Sequence, residues 1–165
     1  MKTEPCPNCG NSARVARGNY RFEEFGLPVE LMRIEMIKCS HCGSVDPIIP
    51  NMDGLMTAVA LEVICSTSLL HGEEIRFLRK CIGKSAQEFS RLLHVDHTHL
   101  SKGENNRLEV GPRLDKLVRF VVINLSPNLK DVIDRLLEQL PNIEDSCYTR
   151  PEIQIDPSTL QREYA

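Results

Sequence analysis

The sequence predicts an α+β protein, in which a small N-terminal β-hairpin domain precedes an all-α domain of about five helices. Three observations predict this fold: paired cysteine motifs flanking two strand-like segments, a turn sequence between those segments, and apolar residues at helical spacing thereafter. The predicted boundaries are residues 1–50 for the hairpin domain, 51–70 for a connecting helix, 71–140 for the helical domain and 141–165 for a C-terminal tail.

The composition is that of a soluble globular protein, with 165 residues, 41% hydrophobic and 26% charged side chains. No apolar run approaches the roughly 20 residues that cross a bilayer, and "MKTEPCPNCG" lacks the apolar core of a signal peptide. We therefore expect a cytoplasmic protein. In that reducing compartment, the seven cysteines favour metal binding over a disulfide framework.

Four of the cysteines stand in two similar motifs, Cys6 and Cys9 in "CPNCG" and Cys39 and Cys42 in "CSHCG". In each motif the glycine lets the backbone turn tightly, so that both thiolates point at one position. Four thiolates form the tetrahedral cage that zinc prefers in structural sites, so we expect one structural Zn²⁺ per chain. Iron in a rubredoxin-like site is the alternative. A closed four-sulfur cage has no open coordination position, which argues against catalysis at this metal.

The segments between the motifs, "ARVARGNYRFEEF" and "VELMRIEMIK", are rich in β-branched and aromatic residues, and "GLP" marks a bend between them. They predict a hairpin. A domain of about 50 residues buries little apolar surface, so a stabilising metal is physically expected. The other cysteines, Cys65, Cys81 and Cys147, have no partner at ligand spacing and are expected to pack as small hydrophobes. His41 is expected to be a loop residue.

Helical periodicity begins after "DPIIPNMDG". The first apolar face consists of Met56, Val59, Ala60, Val63 and Ile64, and Asp53 is the predicted N-cap of this connecting helix. The next helix is "GEEIRFLRKCI", with Glu73 and Glu74 in its first turn and Ile75, Leu78 and Ile82 on one face.

Two shorter helices follow. The segment "SAQE", from Ser85 to Glu88, is a capping box that opens the first of them, with Ala86, Phe89, Leu92 and Leu93 predicted to face inward. After the turn "HVD", Asp96 is a suitable N-cap for the second, "HTHLSKGE". Two short helices joined by a turn of three or four residues match the helix-turn-helix pattern.

The histidines of this region do not indicate an enzyme. His97 and His99 are two apart, so on a helix they point roughly 200° from one another and cannot share a metal ion. The sequence has no HExxH motif, and no serine, cysteine or carboxylate stands at a spacing that would complete a catalytic pair. We therefore expect a protein without enzymatic activity.

The second short helix instead presents a polar outer face. Val95 and Leu100 are expected to point inward, while Thr98 and Lys102 lie one turn apart on the outside with His97 and Ser101 beside them. A helix of this kind fits the roughly 12 Å major groove of duplex DNA. Ser85 and Gln87 are predicted phosphate contacts, because free N–H groups and the helix dipole attract anions there. Lys84, Arg91 and Arg107 are expected to add nonspecific attraction, since only residues 71–126 carry more Lys and Arg than Asp and Glu. A solvated helix face without function is the alternative interpretation.

The order "CPNCG … CSHCG … GEEIRFLRKCIGKSAQEFSRLLHVDHTHLSKGE" resembles the MqsA-like antitoxins, which join a YgiT-type zinc finger to a phage-repressor-like (XRE) helix-turn-helix. The resemblance covers residues 1 to about 126. It implies a dimeric DNA-binding repressor of its own operon, binding a palindromic operator, and neutralisation of a toxin encoded nearby. The family's DNA-reading positions fall on Thr98 and Lys102. The chain departs from the family pattern at His94, where glycine is usual and a positive φ is expected, and at Gly103, where an aromatic residue is usual.

Two later apolar stripes bear on assembly. They comprise Leu114, Leu117, Val118, Val121, Val122 and Leu125, then Leu129, Val132, Ile133, Leu136, Leu137 and Leu140. Both are wide for one small domain, which predicts a homodimer; a fifth helix closing the core within one chain is the alternative. The last residues, with three prolines and little periodicity, are expected to form an arm or a partly disordered tail. The competing functional class is a zinc-stabilised protein-interaction module with weak or no DNA binding.

Overall fold

The structure, a computed structural model, describes residues 2–133, 137, 138, 141, 143, 152–158 and 160. The described chain is α+β, as predicted, with one five-stranded sheet and five α-helices. Its residues divide into two compact units. The first, here called the hairpin unit, draws on residues 1–23, 28–55 and 152–165, and the second, the helical unit, on residues 24–27 and 56–151.

The hairpin unit is built on two long antiparallel strands. The strands are β1 (Thr3–Pro5), β2 (Ser12–Phe22), β3 (Val29–Lys38) and β4 (Val45–Pro47), hydrogen-bonded in the order β1-β2-β3-β4. Every one of these neighbouring pairs is antiparallel. The short strands β1 and β4 lie next to the cysteine loops, so the sheet holds both loops at one end of the hairpin.

A bulge divides the β2–β3 ladder. Val29 and Leu31 are buried on β3, but beyond the bulge the buried positions are Ile34 and Met36, so the alternation changes from odd to even numbers. Arg33 takes a φ of 54°, and its N–H donates to Asn19 Oδ1 at 3.2 Å. Because the bulge inserts one extra residue into β3, apolar side chains stay on the core face along the whole of this strand.

The C-terminal segment corrects a prediction. We expected residues 141–165 to be an arm or a partly disordered tail, yet Ile153–Ile155 forms strand β5, which pairs in parallel with Val29–Leu31 of β3. Ile155 is 7% exposed, and Asp156 forms an ion pair with Arg33. A three-residue strand carries too few positions for its periodicity to be read from sequence.

The helices lie close to the predicted segments. They are α1 (Met52–Ile64), α2 (Gly72–Cys81), α3 (Ala86–Leu92), α4 (His97–Glu104) and α5 (Pro112–Leu125), followed by a 3-10 helix, Pro127–Val132. Asn51, not Asp53, caps α1, because its Oδ1 accepts from the Gly54 N–H at 2.8 Å. None of the helices in the described part of the chain combines the length and hydropathy that a membrane span requires.

The predicted caps of the two short helices are confirmed. Ser85 Oγ accepts from the Glu88 N–H at 3.2 Å, and the Glu88 carboxylate accepts from the Ser85 N–H at 2.8 Å, which completes the capping box. Asp96 Oδ1 accepts from the His99 N–H at 3.1 Å. Residues 93–96 therefore form a four-residue connection between α3 and α4.

The core of the helical unit is apolar and draws on every α-helix. Its buried members include Val59, Val63, Ile64, Ile75, Leu78, Phe89, Leu93, Leu100, Val118, Val122 and Ile123. Leu92 was predicted to face inward but is 41% exposed, because the preceding Phe89 and the following Leu93 already fill the buried side of this short helix. Of the last predicted stripe, Leu129 is buried and Leu137 exposed, while Leu136 and Leu140 lie outside the described residues.

This core contains a buried ion pair that the sequence did not predict. Arg119 and Asp115 both have fully buried side chains, joined by bonds of 2.9 and 3.1 Å. The other three Arg119 donors reach the carbonyl oxygens of Ile64, Ser66 and Ser68 at 2.6–2.7 Å. All five guanidinium N–H groups are thus used, and the positive charge sits at the C-terminal end of α1, where the helix dipole favours it.

Candidate metal centre and exposed helix face

The two cysteine loops of the hairpin unit have the same backbone geometry. The N–H of Gly10 donates to the Cys6 carbonyl at 2.9 Å, and the N–H of Gly43 donates to the Cys39 carbonyl at 3.0 Å. Both glycines have positive φ, 74° and 75°, a conformation that side chains disfavour. Each loop therefore turns its two sulfur atoms toward the other loop, as the repeated Cys-x-x-Cys-Gly spacing predicted.

The four sulfur atoms form a compact cluster that can hold a metal ion. All of the Sγ atoms of Cys6, Cys9, Cys39 and Cys42 lie within 4.8 Å of one another. The Cys6–Cys42 and Cys9–Cys39 distances are both 3.6 Å. Zinc–sulfur bonds of roughly 2.3 Å imply sulfur–sulfur distances of about 3.8 Å in a tetrahedron. The observed sulfur–sulfur distances are close to this value, so the four side chains fit a zinc ion.

Neighbouring side chains stabilise the thiolate form of two of these cysteines. The Ser44 hydroxyl lies 3.3 Å from the Sγ atoms of both Cys6 and Cys42. Hydrogen bonding by Ser44 lowers the pKa of Cys6, and with the Ser44 N–H it lowers the pKa of Cys42 to about 6. On the other loop, Asn11 Nδ2 donates to Cys9 Sγ at 3.4 Å. The Cys42 N–H lowers the pKa of Cys39, but burial and the neighbouring thiols of Cys42 and Cys9 outweigh it and raise this pKa to about 11, so metal binding has to displace a proton from Cys39.

The remaining cysteines and His41 lie apart from the sulfur cluster. Cys65 is buried and Cys81 half-buried, and burial raises the pKa of Cys81 to about 12, as expected for an unreactive packed thiol. Cys147 lies outside the described residues. His41 is exposed in its loop and does not belong to the described metal-ligand group.

In the helical unit, all but one of the side chains that we predicted to contact DNA are exposed. Thr98 and Lys102 are exposed one turn apart on α4, His97 is exposed and Ser101 half-buried, while Leu100 is 1% exposed and anchors the helix. Ser85 and Gln87 are exposed at the start of α3. Both the N–H and the hydroxyl of Ser85 donate to Glu88, at 2.8 and 2.7 Å. A phosphate at this position would therefore have to displace the Glu88 carboxylate.

The C-terminal end of α4 is held by two arginines of α2. Arg79 Nε and Nη2 donate to the two carboxylate oxygens of Glu104 at 2.6 and 3.0 Å, and both side chains are largely buried, 12% and 5% exposed. Arg76 donates to the Glu104 carbonyl at 2.7 Å. A bidentate pair of this kind fixes orientation as well as position. Because Arg79 and Glu104 are far apart in the chain, their pairing could not be predicted from the sequence.

His94 and Asp96 shape the turn before α4. His94 has a φ of 52°, as the departure from glycine at this position predicted. Hydrogen bonding from the His99 N–H holds the pKa of Asp96 below its usual value, so the cap stays ionised at neutral pH. The Asp96 cap therefore stabilises the turn, although His94 adopts a strained backbone conformation there.

Two glycines at the α2–α4 contact make a matched pair of predictions. A Cβ at Gly72 would stand 2.2 Å from the Gly103 carbonyl oxygen, whereas a Cβ at Gly103 meets only Val110 Cγ2 at 3.8 Å. We expect Gly72→Ala to lower the free energy of unfolding by about 1–3 kcal/mol through overpacking. Gly103→Ala should raise it by up to about 1 kcal/mol, because alanine favours the helix. Urea denaturation of both variants measures this; equal effects would contradict the described packing.

Comparison of the chain with protein families, curated proteins and solved structures found no match.

Proposed function

We propose that the chain is a cytoplasmic, sequence-specific DNA-binding regulator, in which α3 and α4 act as a helix-turn-helix and the hairpin unit carries one structural zinc ion. The proposal rests on the way in which α4 is packed and held in the helical unit. Its exposed polar residues Thr98 and Lys102 stand on a helix fixed by buried Leu100 and by the Arg79–Glu104 pair. A rigid helix with an exposed polar face is what direct readout in the major groove requires.

The side chains divide between base reading and backbone contact. Lys102 is suited to donate to guanine or to phosphate, and Thr98 and His97 lie near the start of α4, where base edges come within reach. Gln87, Ser101 and, after displacement of Glu88, Ser85 are assigned to phosphate contacts. Zinc is favoured for the cysteine cluster because four thiolates at near-tetrahedral spacing suit it; iron is the alternative that metal analysis would detect.

Replacing Lys102 by alanine should weaken binding to the gene's own upstream DNA. A lost contact to a base costs about 1–3 kcal/mol, so we expect roughly 5- to 150-fold weaker binding in an electrophoretic shift. Lys80→Ala is the matched control, because Lys80 is an exposed lysine on α2, outside the proposed interface. Equal affinity of both variants would contradict the assignment. A wild-type protein that shifts no duplex would favour a protein-interaction module.

We also propose a homodimer that buries the outer face of α5. Phe120 is 45% exposed there, on the side opposite buried Val118 and Val122, and Leu117, one turn before it, is 39% exposed. Covering such a face with a second copy removes apolar surface from water and pairs two reading helices roughly 34 Å apart on the duplex.

Phe120→Lys should therefore produce a monomer, because a charge in the centre of the interface would be desolvated on association. Sedimentation velocity measures the change, with Leu108→Lys as the control, since Leu108 is 39% exposed outside α5. A wild-type protein that sediments as a monomer at all concentrations would contradict the dimer.

The role as a type II antitoxin, repressing its operon and neutralising a toxin, is proposed from the resemblance of the paired cysteine loops and the "SAQEFSRLL" segment to the MqsA-like antitoxins. Copurification of the tagged protein with the product of an adjacent small gene would support this role. Purification of the chain alone when both genes are expressed together would contradict it.

A further inference from the structure

The β2–β3 ladder contains one pairing of like charges. Of the three arginines on β2, Arg17 stands opposite Glu35, with an ion pair of 3.4 Å, and Arg21 stands opposite Glu30. Arg14 instead stands opposite Lys38. Like charges directly opposite each other on antiparallel strands are destabilising. The Arg14–Lys38 pair therefore lowers the stability of the sheet, whereas the two Arg–Glu pairs raise it.

The two cations lie in an open cleft together with three hydroxyl groups. Thr3 pairs with Arg14 on the next strand, so Thr3, Arg14 and Lys38 form a row across β1, β2 and β3. The side chains of Ser12 and Ser40 line the same cleft, and all five residues are exposed. Among the described residues, neither Arg14 nor Lys38 forms an ion pair.

The cleft borders the candidate metal centre, because Ala13 and the metal ligand Cys39 are also among its lining residues. Ala13 and Ile37, the chain neighbours of Arg14 and Lys38, pack in the cluster of Cys6 and Cys39. Because side chains alternate between the faces of a sheet, the two cations lie on the face opposite to these neighbours. Both side chains are exposed to solvent, and the metal content of a variant without them measures whether they also serve the sulfur cluster.

We propose that this cleft binds phosphodiester groups of nucleic acid, so that the hairpin unit makes a sequence-independent backbone contact in addition to the reading helix. The choice of nucleic acid as the ligand rests on the proposed function. The donor set supports phosphate over a carboxylate peptide: arginine, lysine and hydroxyl side chains are the groups that contact phosphate oxygens in protein–DNA complexes. The site has no signature in the sequence, since residues 1–50 carry equal numbers of basic and acidic side chains and the local excess of positive charge arises only when the strands pair.

The first test is a titration of the isotope-labelled full chain with a short duplex of arbitrary sequence, followed by amide NMR. The amides of Thr3, Arg14 and Lys38 should shift. If the amides of Thr98 and Lys102 shift and these do not, the inference is wrong and the proposed function stands. If the shifts occur only in the hairpin unit, the inference stands and the assignment of α4 is wrong.

The second test uses charge-removing variants. The double variant Arg14→Gln/Lys38→Gln should reduce the slope of log affinity against log salt by about 1.8, since each phosphate contact to a duplex contributes about 0.9. The control Arg17→Gln/Arg21→Gln removes the same charge from β2 residues that already face glutamates, and should change the slope less. Equal changes in both variants would overturn the inference.

Metal content and an acidic peptide complete the test. The double variant should retain its full metal content; loss of the metal would mean that the cations serve the cysteine cluster, which overturns the inference. A polyglutamate peptide should not shift the Arg14 and Lys38 amides at concentrations where the duplex does. Equal shifts would assign the cleft to an acidic protein segment instead.

Discussion

Replacing Cys39 by serine, or removing the metal with a chelator, is expected to unfold the hairpin unit. The apolar cluster at the cysteine loops contains Ala13 and Ile37 besides Cys6 and Cys39, and metal binding to a four-thiolate site of this kind contributes on the order of 10–16 kcal/mol at neutral pH. Cys39 is 4% exposed, and its Sγ lies 3.6 Å from Cys9 Sγ. Its replacement therefore removes a buried ligand from the metal site. Amide NMR should show collapsed resonances for residues of β2 and β3.

The control for this variant is Cys81→Ser. Cys81 is half-buried and lies outside the sulfur cluster, so the metal content of this variant should equal that of the wild type. Elemental analysis of both proteins also decides between zinc and iron. A Cys39→Ser protein that keeps a stoichiometric metal and the dispersed hairpin resonances would contradict the site.

Arg119→Met is expected to destabilise the helical unit by about 3–5 kcal/mol, the usual effect of removing one partner from a buried ion pair. The substitution leaves the Asp115 carboxylate fully buried, with the Leu70 N–H as its other donor at 2.8 Å. It also removes the donors from the carbonyl oxygens of Ile64, Ser66 and Ser68. Unsatisfied buried carbonyl groups add their own desolvation cost.

The matched control is Arg113→Met, which removes an exposed arginine from the same helix and should change stability by less than about 0.5 kcal/mol. Urea denaturation followed by far-ultraviolet circular dichroism measures both variants. Similar midpoints for Arg119→Met and the wild type would mean that the buried network does not hold α1 to α5.

The sequence predicted features that depend on neighbouring residues. The two cysteine loops and the caps at Ser85 and Asp96 are local, because a few residues determine where a thiolate or a capping oxygen points. For the same reason the bend before β3, marked by "GLP", could be read from the chain. The assignment of these elements to DNA binding remains a prediction.

Features that depend on residues far apart in the chain were missed. Arg119 and Asp115 stand four apart, a spacing that usually indicates a surface pair, and only the packing of α5 on the end of α1 buries them. The Arg79–Glu104 pair and the row of Thr3, Arg14 and Lys38 likewise arise when distant segments meet. Strand β5 is too short to have a sequence signature, and the exposure of Leu92 follows from the brevity of α3.

Selection of binding sites from a pool of random duplexes with the full chain measures whether α4 reads the major groove of DNA. We expect enrichment of a palindrome whose half-sites lie about one helical turn apart, and a changed base preference at one position per half-site for Thr98→Ala. Enrichment of no sequence by the wild type, or of the same sequence by the Thr98→Ala and Lys102→Ala variants with unchanged affinity, would contradict it.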